Sequence, residues 1–289
     1  MNKLLTIVFS AYQSHALLKK VLNKLPTNYK ILIIENSLDK NLKKTLEKKF
    51  KHVEVIVPKK NLGLAKSYNL GLKRSKSKYV FLNNPDHDFN NQVVKKLIEC
   101  AEKIKDFGII APTYKKEKVF KNYEIYQSKN NLDYGIYKKF GVTEVDIIDN
   151  CFFIKKKNIK DNAFDENFFL YFETFDFCKN LSKNNKKLYV CNKIKYHHPG
   201  SKSASSKFVN IVSLTRAFHY NWSKFYYYKK NYGIFLAYRK IIPNLIKSLR
   251  KIISSAIILN KSNTKEGLIE LYGIVSAILS LKSFYRPKK

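Results

Sequence analysis

Residues 78–88 join a short apolar run to a polar and acidic end, in the order Lys78-Tyr79-Val80-Phe81-Leu82-Asn83-Asn84-Pro85-Asp86-His87-Asp88. The apolar part has the unbroken hydrophobicity of a strand that is buried on both faces. Three similar runs come before it, at residues 4–9, 30–34 and 53–57. Apolar residues at helical spacing lie between the runs. The sequence therefore predicts βαβ units and a mostly parallel central sheet with helices on both faces.

Polar, turn-forming residues follow each of these four runs. The carboxyl ends of parallel strands meet at one edge of a sheet, and ligands bind beyond that edge in folds of this kind. Polar residues after a single strand are explained by an ordinary turn. Polar residues after all four strands indicate a binding site. The polar segments are residues 10–14, 35–39, 61–63 and 83–88. By contrast, residues 113–145 show no regular pattern and are predicted to be an irregular insertion.

The composition limits the class of protein. The chain has 289 residues, of which 45% are hydrophobic and 14% aromatic, enough to bury a core and to exclude a disordered chain. The formal net charge is +34, and residues 177–265 contain 19 Lys or Arg but no Asp or Glu. A general lysine bias accounts for part of this excess. The missing acids indicate a polyanionic partner such as a membrane surface, a nucleic acid or a phosphorylated substrate.

Cysteine usage and the lack of targeting signals indicate the compartment. The four cysteines contain no C-x-x-C pair, so they are predicted to be reduced core thiols of a cytosolic protein. The N-terminal apolar run has no small-residue cleavage site, and a signal peptide is not expected. The apolar run at residues 271–281 is shorter than the roughly 20 residues that a membrane-spanning helix needs.

Three groups of residues have side chains suited to catalysis or metal binding. Asp86 follows a predicted strand, where a carboxylate can hold a hard divalent cation, although a lone Asp is more often a helix cap. Glu173 and Asp176 are spaced i, i+3 among aromatic residues, and apolar surroundings raise a carboxyl pKa as a general base requires. Surface acids of an amphipathic helix are the simpler interpretation of that pair. His197 and His198 end another predicted strand and could ligate a metal or contact phosphate.

Several segments of the chain match a known family in the family's order. They are Ile34-Glu35-Asn36-Ser37-Leu38-Asp39, Asn61-Leu62-Gly63-Leu64-Ala65 with Asn69-Leu70-Gly71, residues 79–86, Phe164-Asp165-Glu166-Asn167-Phe168-Phe169-Leu170-Tyr171-Phe172-Glu173, and residues 197–201. The ordered set resembles glycosyltransferase family 2, near the bacterial rhamnosyltransferase-like branch, and residues 219–233 are similar to that branch too. The resemblance covers nearly the whole chain. It implies an α/β GT-A fold, which is Rossmann-like with a mostly parallel sheet, plus a C-terminal helical extension.

The resemblance also implies a reaction. In this family a sugar is transferred with inversion from a nucleoside-diphosphate sugar, and Mg²⁺ or Mn²⁺ assists the transfer. The donor implied here is dTDP-rhamnose or a UDP-sugar, and the acceptor is a hydroxyl of a cell-surface glycan or of its lipid-linked precursor. Asn84-Pro85-Asp86 takes the place of the family's D-x-D motif, so Asp86 would face the metal. His197 or His198 would complete the metal and diphosphate side.

Two departures from the family pattern affect the implied roles. Glu35 stands where the family usually has an Asp that reads the nucleotide base. The family's acidic helix usually carries Glu-Asp at the catalytic base, whereas here Glu173 is followed by Thr174. Glu173 is therefore the first candidate for the base and Asp176 the second. The residues implied to bind the nucleotide-sugar are Ser10, Tyr12, Glu35, Ser37, Asp39, Asn61, Gly63, Asn69 and Asn84.

The implied domains are a GT-A catalytic domain at residues 1–205 and a basic helical region at residues 206–289. The catalytic domain would have a nucleotide-sugar-binding half at about residues 1–111 and an acceptor half at residues 112–205. Apolar residues at helical spacing from 238 to 257, with Arg and Lys between them, predict a basic amphipathic helix that starts or kinks at Pro243. This helix is expected either to lie in an anionic membrane interface or to pack on the catalytic domain.

The last apolar segment of the chain bears on both the partners and the localisation of the protein. Residues 268–281 are apolar nearly all round and are expected to be buried by the core, by lipid or by a second subunit, which leaves a homodimer open. The sequence therefore predicts a cytoplasmic protein that is peripheral at the inner face of the cell membrane.

Three other functions compete with this interpretation. Aromatic residues interleaved with lysines at 220–232 permit stacking on single-stranded nucleic acid, although no known binding motif is present and no nucleic-acid partner is expected. A sugar-phosphate nucleotidyltransferase requires a loop with Gly and Arg after the first strand, which residues 10–14 lack. A degenerate, non-catalytic transferase would be consistent with Thr174.

Overall fold

The computed structural model describes residues 3–104, 106–115, 121–126, 134–198 and 209–286. The chain divides into two units. The first comprises Met1–Leu62, Lys66–Phe164 and Phe177–Ser205, and the second comprises Gly63–Ala65, Asp165–Asp176 and Ser206–Lys289. The predicted boundary between residues 205 and 206 lies outside the described residues, and the predicted domains stay a prediction.

An eight-stranded sheet and a two-stranded sheet form the framework of the first unit within the described residues. The strands are β1 (Leu5–Ala11), β2 (Lys30–Glu35), β3 (Val53–Ile56), β4 (Tyr79–Asn83), β5 (Ile109–Tyr114), β6 (Tyr123–Glu124), β7 (Val142–Val145), β8 (Ile147–Ile148), β9 (Phe152–Lys155) and β10 (Leu188–Tyr196). The order in the large sheet is β3-β2-β1-β4-β9-β5-β10-β7, and β6 pairs with β8. The four strands predicted from the apolar runs are present as β1 to β4.

Most strands of the large sheet run in one direction. β1 is parallel to β2 and β4, β2 is parallel to β3, and β10 is parallel to β5. β9 is antiparallel to both β4 and β5, and β7 is antiparallel to β10. Consecutive residues of β2 and β4 point to opposite faces, yet nearly all are buried, so both faces of the sheet are covered. The prediction of a mostly parallel, doubly covered sheet is confirmed.

The helices of the described chain include two that have residues in both units, α3 and α6. Their bounds are α1 (His15–Leu22), α2 (Lys40–Lys49), α3 (Gly63–Arg74), α4 (Asn91–Lys103), α5 (Tyr134–Phe140), α6 (Glu173–Lys183), α7 (Val209–Tyr232), α8 (Ile234–Ile257) and α9 (Lys261–Ile278), with a 3₁₀ helix at Lys156–Asn158. The prediction of an irregular insertion at residues 113–145 is wrong in part, because α5 and β7 lie within it. Residues 116–120 and 127–133 lie outside the described residues.

The loop that follows β4 is anchored at its far end. The ring of Phe89 is buried against Phe9 and Phe81, with centroid distances of 6.2 and 5.1 Å. The side chain of Asn90 then caps α4 by accepting the backbone N–H groups of Gln92 and Val93. The polar segment 83–88 is therefore held between a buried strand and a buried aromatic residue.

Three helices, α7 to α9, make up most of the second unit. Their shared core contains Phe218, Trp222, Phe225, Ala237, Ile241, Ile274 and Ala277. α8 begins at Ile234 and continues through Pro243, so of the two predicted alternatives the start at the proline is wrong, and a kink there stays a prediction. Ala237 and Ile241, which precede the proline, are buried in the core, and their packing outweighs the hydrogen bond that the proline cannot donate. No helix in the described part of the chain has both the length and the apolar composition to cross a membrane.

Gly273 in α9 lies against the backbone of α7. A Cβ atom at this position would be 2.4 Å from the carbonyl oxygen of Phe218. We expect Gly273→Ala to lower the free energy of unfolding by ~2 kcal/mol, because the two backbones cannot separate without repacking the core. Gly267→Ala is the matched control in the same helix, since its nearest neighbour at 2.8 Å is a side-chain atom, Cγ1 of Ile252. Equal urea unfolding midpoints for the two variants would contradict this expectation.

Candidate functional site

The loops at the carboxyl ends of the strands are joined by one buried amide. Asn36 donates hydrogen bonds from Nδ2 to the hydroxyls of Ser67 (2.9 Å) and Ser10 (3.3 Å). Its Oδ1 accepts the backbone N–H of Leu62 at 2.9 Å. The side chain therefore connects the end of β1, the loop after β2 and the segment that enters α3. Sequence analysis did not assign a role to Asn36, although it lies between two predicted site residues.

The carboxylate of Glu35 is fully buried and holds its own loop. Oε1 accepts the backbone N–H of Ser37 (3.2 Å) and Oε2 accepts that of Asp39 (3.0 Å). The hydroxyl of Ser37 in turn accepts the backbone N–H of Gln13, which ties this loop to the one after β1. Burial, together with the negative charge of Glu35, raises the pKa of Tyr12. The predicted contact between Glu35 and a nucleotide base stays a prediction.

Several predicted nucleotide-binding residues make hydrogen bonds within the protein. Asp39 caps α2 by accepting two backbone N–H groups of its first turn, at 2.8 and 2.9 Å. The amide of Asn69 donates to the carbonyl of Phe164 (2.9 Å) and accepts its N–H (3.0 Å). Oδ1 of Asn84 accepts the hydroxyl of Tyr68 at 3.1 Å. These contacts position the loops, and a contact with a nucleotide-sugar stays a prediction for all three residues.

Gly63 is required by a close approach in the second unit. Its φ is +74°, and an added Cβ atom would be 2.3 Å from the carbonyl oxygen of Phe169. The neighbouring N–H of Leu64 donates to that same oxygen at 2.8 Å. Asn61, which precedes it by two residues, belongs to the first unit and is half-buried. Nucleotide-sugar binding by Asn61 and Gly63 stays a prediction.

Backbone pairing brings together two loops that are far apart in sequence. The N–H of Asp88 donates to the carbonyl of His197 (2.8 Å), and the N–H of His197 donates to the carbonyl of Asp88 (3.0 Å). Beside this pair, Nε2 of His198 is 3.2 Å from Oδ2 of Asp86. The side chain of His197 is exposed and is not part of this cluster. Residues 199–201 of the predicted motif lie outside the described residues.

Asp86, His87 and His198 form a cluster of donor atoms that lie within 4.8 Å of one another. Oδ1 of Asp86 is 4.0 Å from Nε2 of His87, and both side chains are buried. Neither atom has a hydrogen-bond partner in the described residues. Buried polar atoms without partners indicate that something else satisfies them. A carboxylate and two imidazoles are suitable ligands for a divalent cation, so these three residues fit a metal.

The charges in the cluster follow from burial and from the hydrogen bonds. Burial lowers the pKa of His87 to about 4, and the positive charge of His198 adds to this effect while Asp86 opposes it. His87 is therefore neutral at pH 7. Burial alone would raise the pKa of Asp86, but the hydrogen bond from His198 and the charges of both histidines outweigh it and lower that pKa. Asp86 is therefore ionised at pH 7.

The tautomer of His87 decides what its free nitrogen can do. The backbone N–H of Asn84 donates to Nδ1 at 3.2 Å, an arrangement that favours a proton on Nε2. Oδ1 of Asn83 and Sγ of Cys151 lie 3.3 and 3.1 Å from Nδ1 and can accept a proton placed there instead. Only this second tautomer leaves the lone pair of Nε2 available to a cation. His87 was not among the residues predicted for the site, although it directly follows Asp86.

Two tyrosines orient the histidine rings. The ring of Tyr114 stacks on His198 at a centroid distance of 5.2 Å, and Tyr196 meets the ring of His87 edge-on at 5.4 Å. The side chain of Asn150 joins the tyrosines, because its Nδ2 donates to the hydroxyl of Tyr114 and its Oδ1 accepts that of Tyr196. Burial raises the pKa of both tyrosines, so both hydroxyls are neutral. Such supporting contacts commonly fix the direction of metal-binding side chains.

The two predicted catalytic acids begin α6 in the second unit, where both are buried. The interpretation of this pair as ordinary surface acids is therefore wrong. Tyr171 and Phe172, the residues just before Glu173, have φ values of 70° and 61°. Left-handed backbone at a residue other than glycine costs about 1–3 kcal/mol and is often found at functional sites. Both rings pack on Tyr220, at 5.5 and 5.7 Å, which holds this conformation.

Asp176 belongs to a network of charges. Its Oδ2 accepts Nζ of Lys230 at 2.8 Å, and its Oδ1 accepts Nδ2 of Asn231 at 2.9 Å. Lys230 also binds Oδ2 of Asp165 at 2.8 Å. Both carboxylate oxygens of Asp176 are thus used in holding α6 and α7 together. This arrangement favours Glu173 over Asp176 as the candidate base.

The fold and the acidic, histidine-bearing edge of the sheet define a glycosyltransferase of the GT-A type. Residues 6–162, more than half of the chain, match the family model of Glycosyl transferase family 2. The chain belongs to this family. The narrower resemblance to the rhamnosyltransferase-like branch stays a prediction. Among curated protein sequences, none matches the chain.

Several solved structures share the fold. Mannosyltransferase PcManGT from Pyrobaculum calidifontis, solved with GDP-Man and Mn²⁺, has a TM-score of 0.55 at 9% identity, over 96% of this chain and 87% of that one. S. aureus TarS 1-349, solved with UDP-GlcNAc, has a TM-score of 0.50 at 14% identity, over 96% and 92%. GalNAc-T7, solved with UDP, GalNAc and Mn²⁺, has a TM-score of 0.53 at 12% identity, over 76% and 49%. At these identities the similarity concerns the fold.

Lys230 is expected to stabilise the second unit through its two carboxylate partners. We expect Lys230→Met to lower the free energy of unfolding by ~2 kcal/mol, since it leaves the buried Asp176 carboxylate without its cation. A fully buried pair would lose more, but the side chain of Lys230 is 32% exposed. Lys229→Met is the control. Among the residues that the structure describes, the ammonium of Lys229 has one polar contact, with the hydroxyl of Ser280. Urea unfolding measures both variants, and equal losses would contradict the role of this network.

Proposed function

We propose that the protein transfers a sugar from a nucleoside-diphosphate sugar to an acceptor hydroxyl, with inversion at the anomeric carbon and with the help of a divalent cation. The convergence of Asp86, His87 and His198 at the carboxyl edge of a family 2 fold carries this proposal. The solved complexes of similar fold with GDP-Man and Mn²⁺ or with UDP-GlcNAc support a donor of this class. We propose dTDP-rhamnose or a UDP-sugar as the donor. The proposed acceptor is a cell-surface glycan or its lipid-linked precursor.

The cation would be held by Asp86 and by His198 after Nε2 of His198 has lost the proton that it donates to Asp86, together with His87 in the tautomer that is protonated on Nδ1. A divalent cation at this position supplies Lewis-acid stabilisation of the negative charge that develops on the diphosphate leaving group. Two imidazoles in one ligand set favour Mn²⁺ over Mg²⁺, because Mg²⁺ prefers carboxylate, phosphate and water oxygens. The proposed cofactor is therefore Mn²⁺ in preference to Mg²⁺.

The proposed role of the second unit is to remove the proton of the acceptor hydroxyl. The acceptor oxygen forms a bond to the anomeric carbon while the bond to the diphosphate oxygen breaks, and the electron pair of that bond leaves with the diphosphate. Glu173 would take the proton of the acceptor hydroxyl, a step that contributes typically 10²–10⁴-fold to the rate. The left-handed backbone at Tyr171 and Phe172 and the ion pair of Asp176 with Lys230 restrict the position of Glu173.

Metal binding can be tested apart from catalysis. We expect Asp86→Asn to weaken Mn²⁺ binding by at least ~10²-fold in isothermal titration, because it removes the only carboxylate of the described cluster. Asp88→Asn is the matched control, two residues away, since its carboxylate pairs with Lys20 and Lys24 instead. Wild-type protein should also bind Mn²⁺ more tightly than Mg²⁺. Equal Mn²⁺ affinity for Asp86→Asn and wild type would show that the cation binds elsewhere or not at all.

Catalysis can be tested by screening nucleoside-diphosphate sugars for Mn²⁺-dependent release of the nucleoside diphosphate. With the donor found in that screen, we expect Glu173→Gln to lower kcat by roughly 10²–10⁴-fold while donor affinity is retained, because Gln keeps the shape but cannot accept the proton. Asp176→Asn should instead lower the free energy of unfolding. Full turnover by Glu173→Gln would exclude this residue as the base, and no turnover with any donor would argue against the proposed activity.

A further inference from the structure

α8 carries an exposed apolar stripe along its whole length. The stripe, referred to below as the α8 stripe, consists of Phe235, Tyr238, Ile242, Ile246, Leu249, Ile253 and Ile257. The spacing of three or four residues places all seven on one face of the helix. Exposure is 90% for Phe235, 61% for Ile253 and 77% for Ile257, so these are large apolar side chains in full contact with solvent. Contiguous apolar surfaces of this kind usually mark an interaction site.

The stripe is not the face with which α8 packs in its own unit. That face is formed by the buried residues Ala237, Ile241, Ser248 and Ser255. At about 100° per residue the two sets lie on opposite sides of the helix. α8 therefore packs in its unit with one side and exposes the apolar stripe on the other.

The flank of the stripe is basic. Arg239, Lys247 and Arg250 each directly follow a stripe residue, so all three lie on the same side of it, and all three are exposed. α8 contains no Asp or Glu. Lys251 is different, because Glu266 and Glu270 of α9 bind its ammonium at 3.3 and 3.0 Å. The cations beside the stripe have no ion pair among the described residues, whereas Lys251 on the α9 side is neutralised.

The apolar surface continues past the end of the helix. Ile258 and Leu259, in the turn between α8 and α9, are 70% and 85% exposed. Asn260 then caps α9 by accepting the backbone N–H of Asn263. The turn thus presents two more large apolar side chains next to Ile257, while the N–H groups of Ile258 and Leu259 donate to carbonyls of α8.

We infer that the α8 stripe binds the interface of an anionic lipid bilayer, with α8 lying in the plane of the membrane. The apolar side chains would enter the boundary between headgroups and acyl chains, and Arg239, Lys247 and Arg250 would contact anionic headgroups. This inference does not depend on the proposed transferase activity.

A second copy of the chain fits this surface less well. In an antiparallel pairing of two copies through the α8 stripe, the two basic flanks would lie on the same side and close together. Because α8 has no acidic residue, nothing on either helix would compensate that repulsion. An anionic membrane offers both an apolar interior and the opposite charge, so its chemistry complements the stripe and its flank together.

The test is sedimentation of the 289-residue chain with large unilamellar vesicles, made either of phosphatidylcholine alone or of phosphatidylcholine with about 30% phosphatidylglycerol. We expect binding to the anionic vesicles and little binding to the neutral ones. The triple variant Arg239→Gln, Lys247→Gln, Arg250→Gln should bind about 100-fold more weakly, at about fivefold for each basic residue. The pair Ile253→Gln, Ile257→Gln should also lose most of the binding. Both variants change exposed side chains, and unchanged urea unfolding midpoints will show that they are folded.

The matched control removes the same charge from the first unit. Lys44→Gln, Lys48→Gln, Lys51→Gln also lowers the net charge by three and should keep most of the vesicle binding. Equal loss in this control, or no effect of the two isoleucine substitutions, would mean general electrostatic attraction and would overturn the inference. A concentration-dependent dimer in sedimentation velocity that Ile253→Gln, Ile257→Gln abolishes would overturn it too, because the stripe would then be a subunit interface.

Discussion

Two backbone hydrogen bonds between Asp88 and His197 join the loops that follow β4 and β10, which are not neighbours in the sheet. This pairing brings His198 to the carboxylate of Asp86 and creates a buried site from segments more than a hundred residues apart. A carboxylate with so little exposure needs compensation for lost hydration, and the imidazole of His198 supplies part of it. The remaining unsatisfied atoms, Oδ1 of Asp86 and Nε2 of His87, mark where a ligand would complete the site within the described chain.

The first half of the sheet could be predicted because its signals are local. β1 to β4 are unbroken apolar runs, and each run directly shows a strand buried on both faces. The positions of β7 and β9 in the sheet could not be predicted in the same way. Each pairs antiparallel with a strand from a distant segment, β7 with β10 and β9 with β4. A start of α8 at Pro243, one of the two predicted alternatives, is wrong for a related reason. Pro243 is a strong local signal, whereas the burial of Ala237 and Ile241 is a tertiary effect that outweighs it.

The site could be predicted less completely than the fold. Asp86 and His198 each follow a strand, and the family resemblance implied that Asp86 shares a metal site with His197 or His198. His87, Tyr114, Asn150 and Tyr196 escaped prediction, because nothing local indicates that their side chains converge. The polar residues Asp39 and Asn69 show the opposite case, since backbone N–H and C=O groups occupy their side chains. A polar side chain after a strand often makes hydrogen bonds to backbone groups of its own loop. Sequence alone does not show whether any of its donors or acceptors remain available to a ligand.

The left-handed residues before α6 have a consequence for how this segment can vary. Glycine at position 171 or 172 would remove the steric cost of a positive φ, so substitutions to glycine are open to the chain on steric grounds. Glycine would also lose the aromatic ring that packs on Tyr220 and would give Glu173 a wider range of orientations. The segment therefore accepts the steric cost of two positive φ angles and in return restricts the orientation of Glu173. Such a loss of stability is common where a protein fixes the direction of one functional side chain.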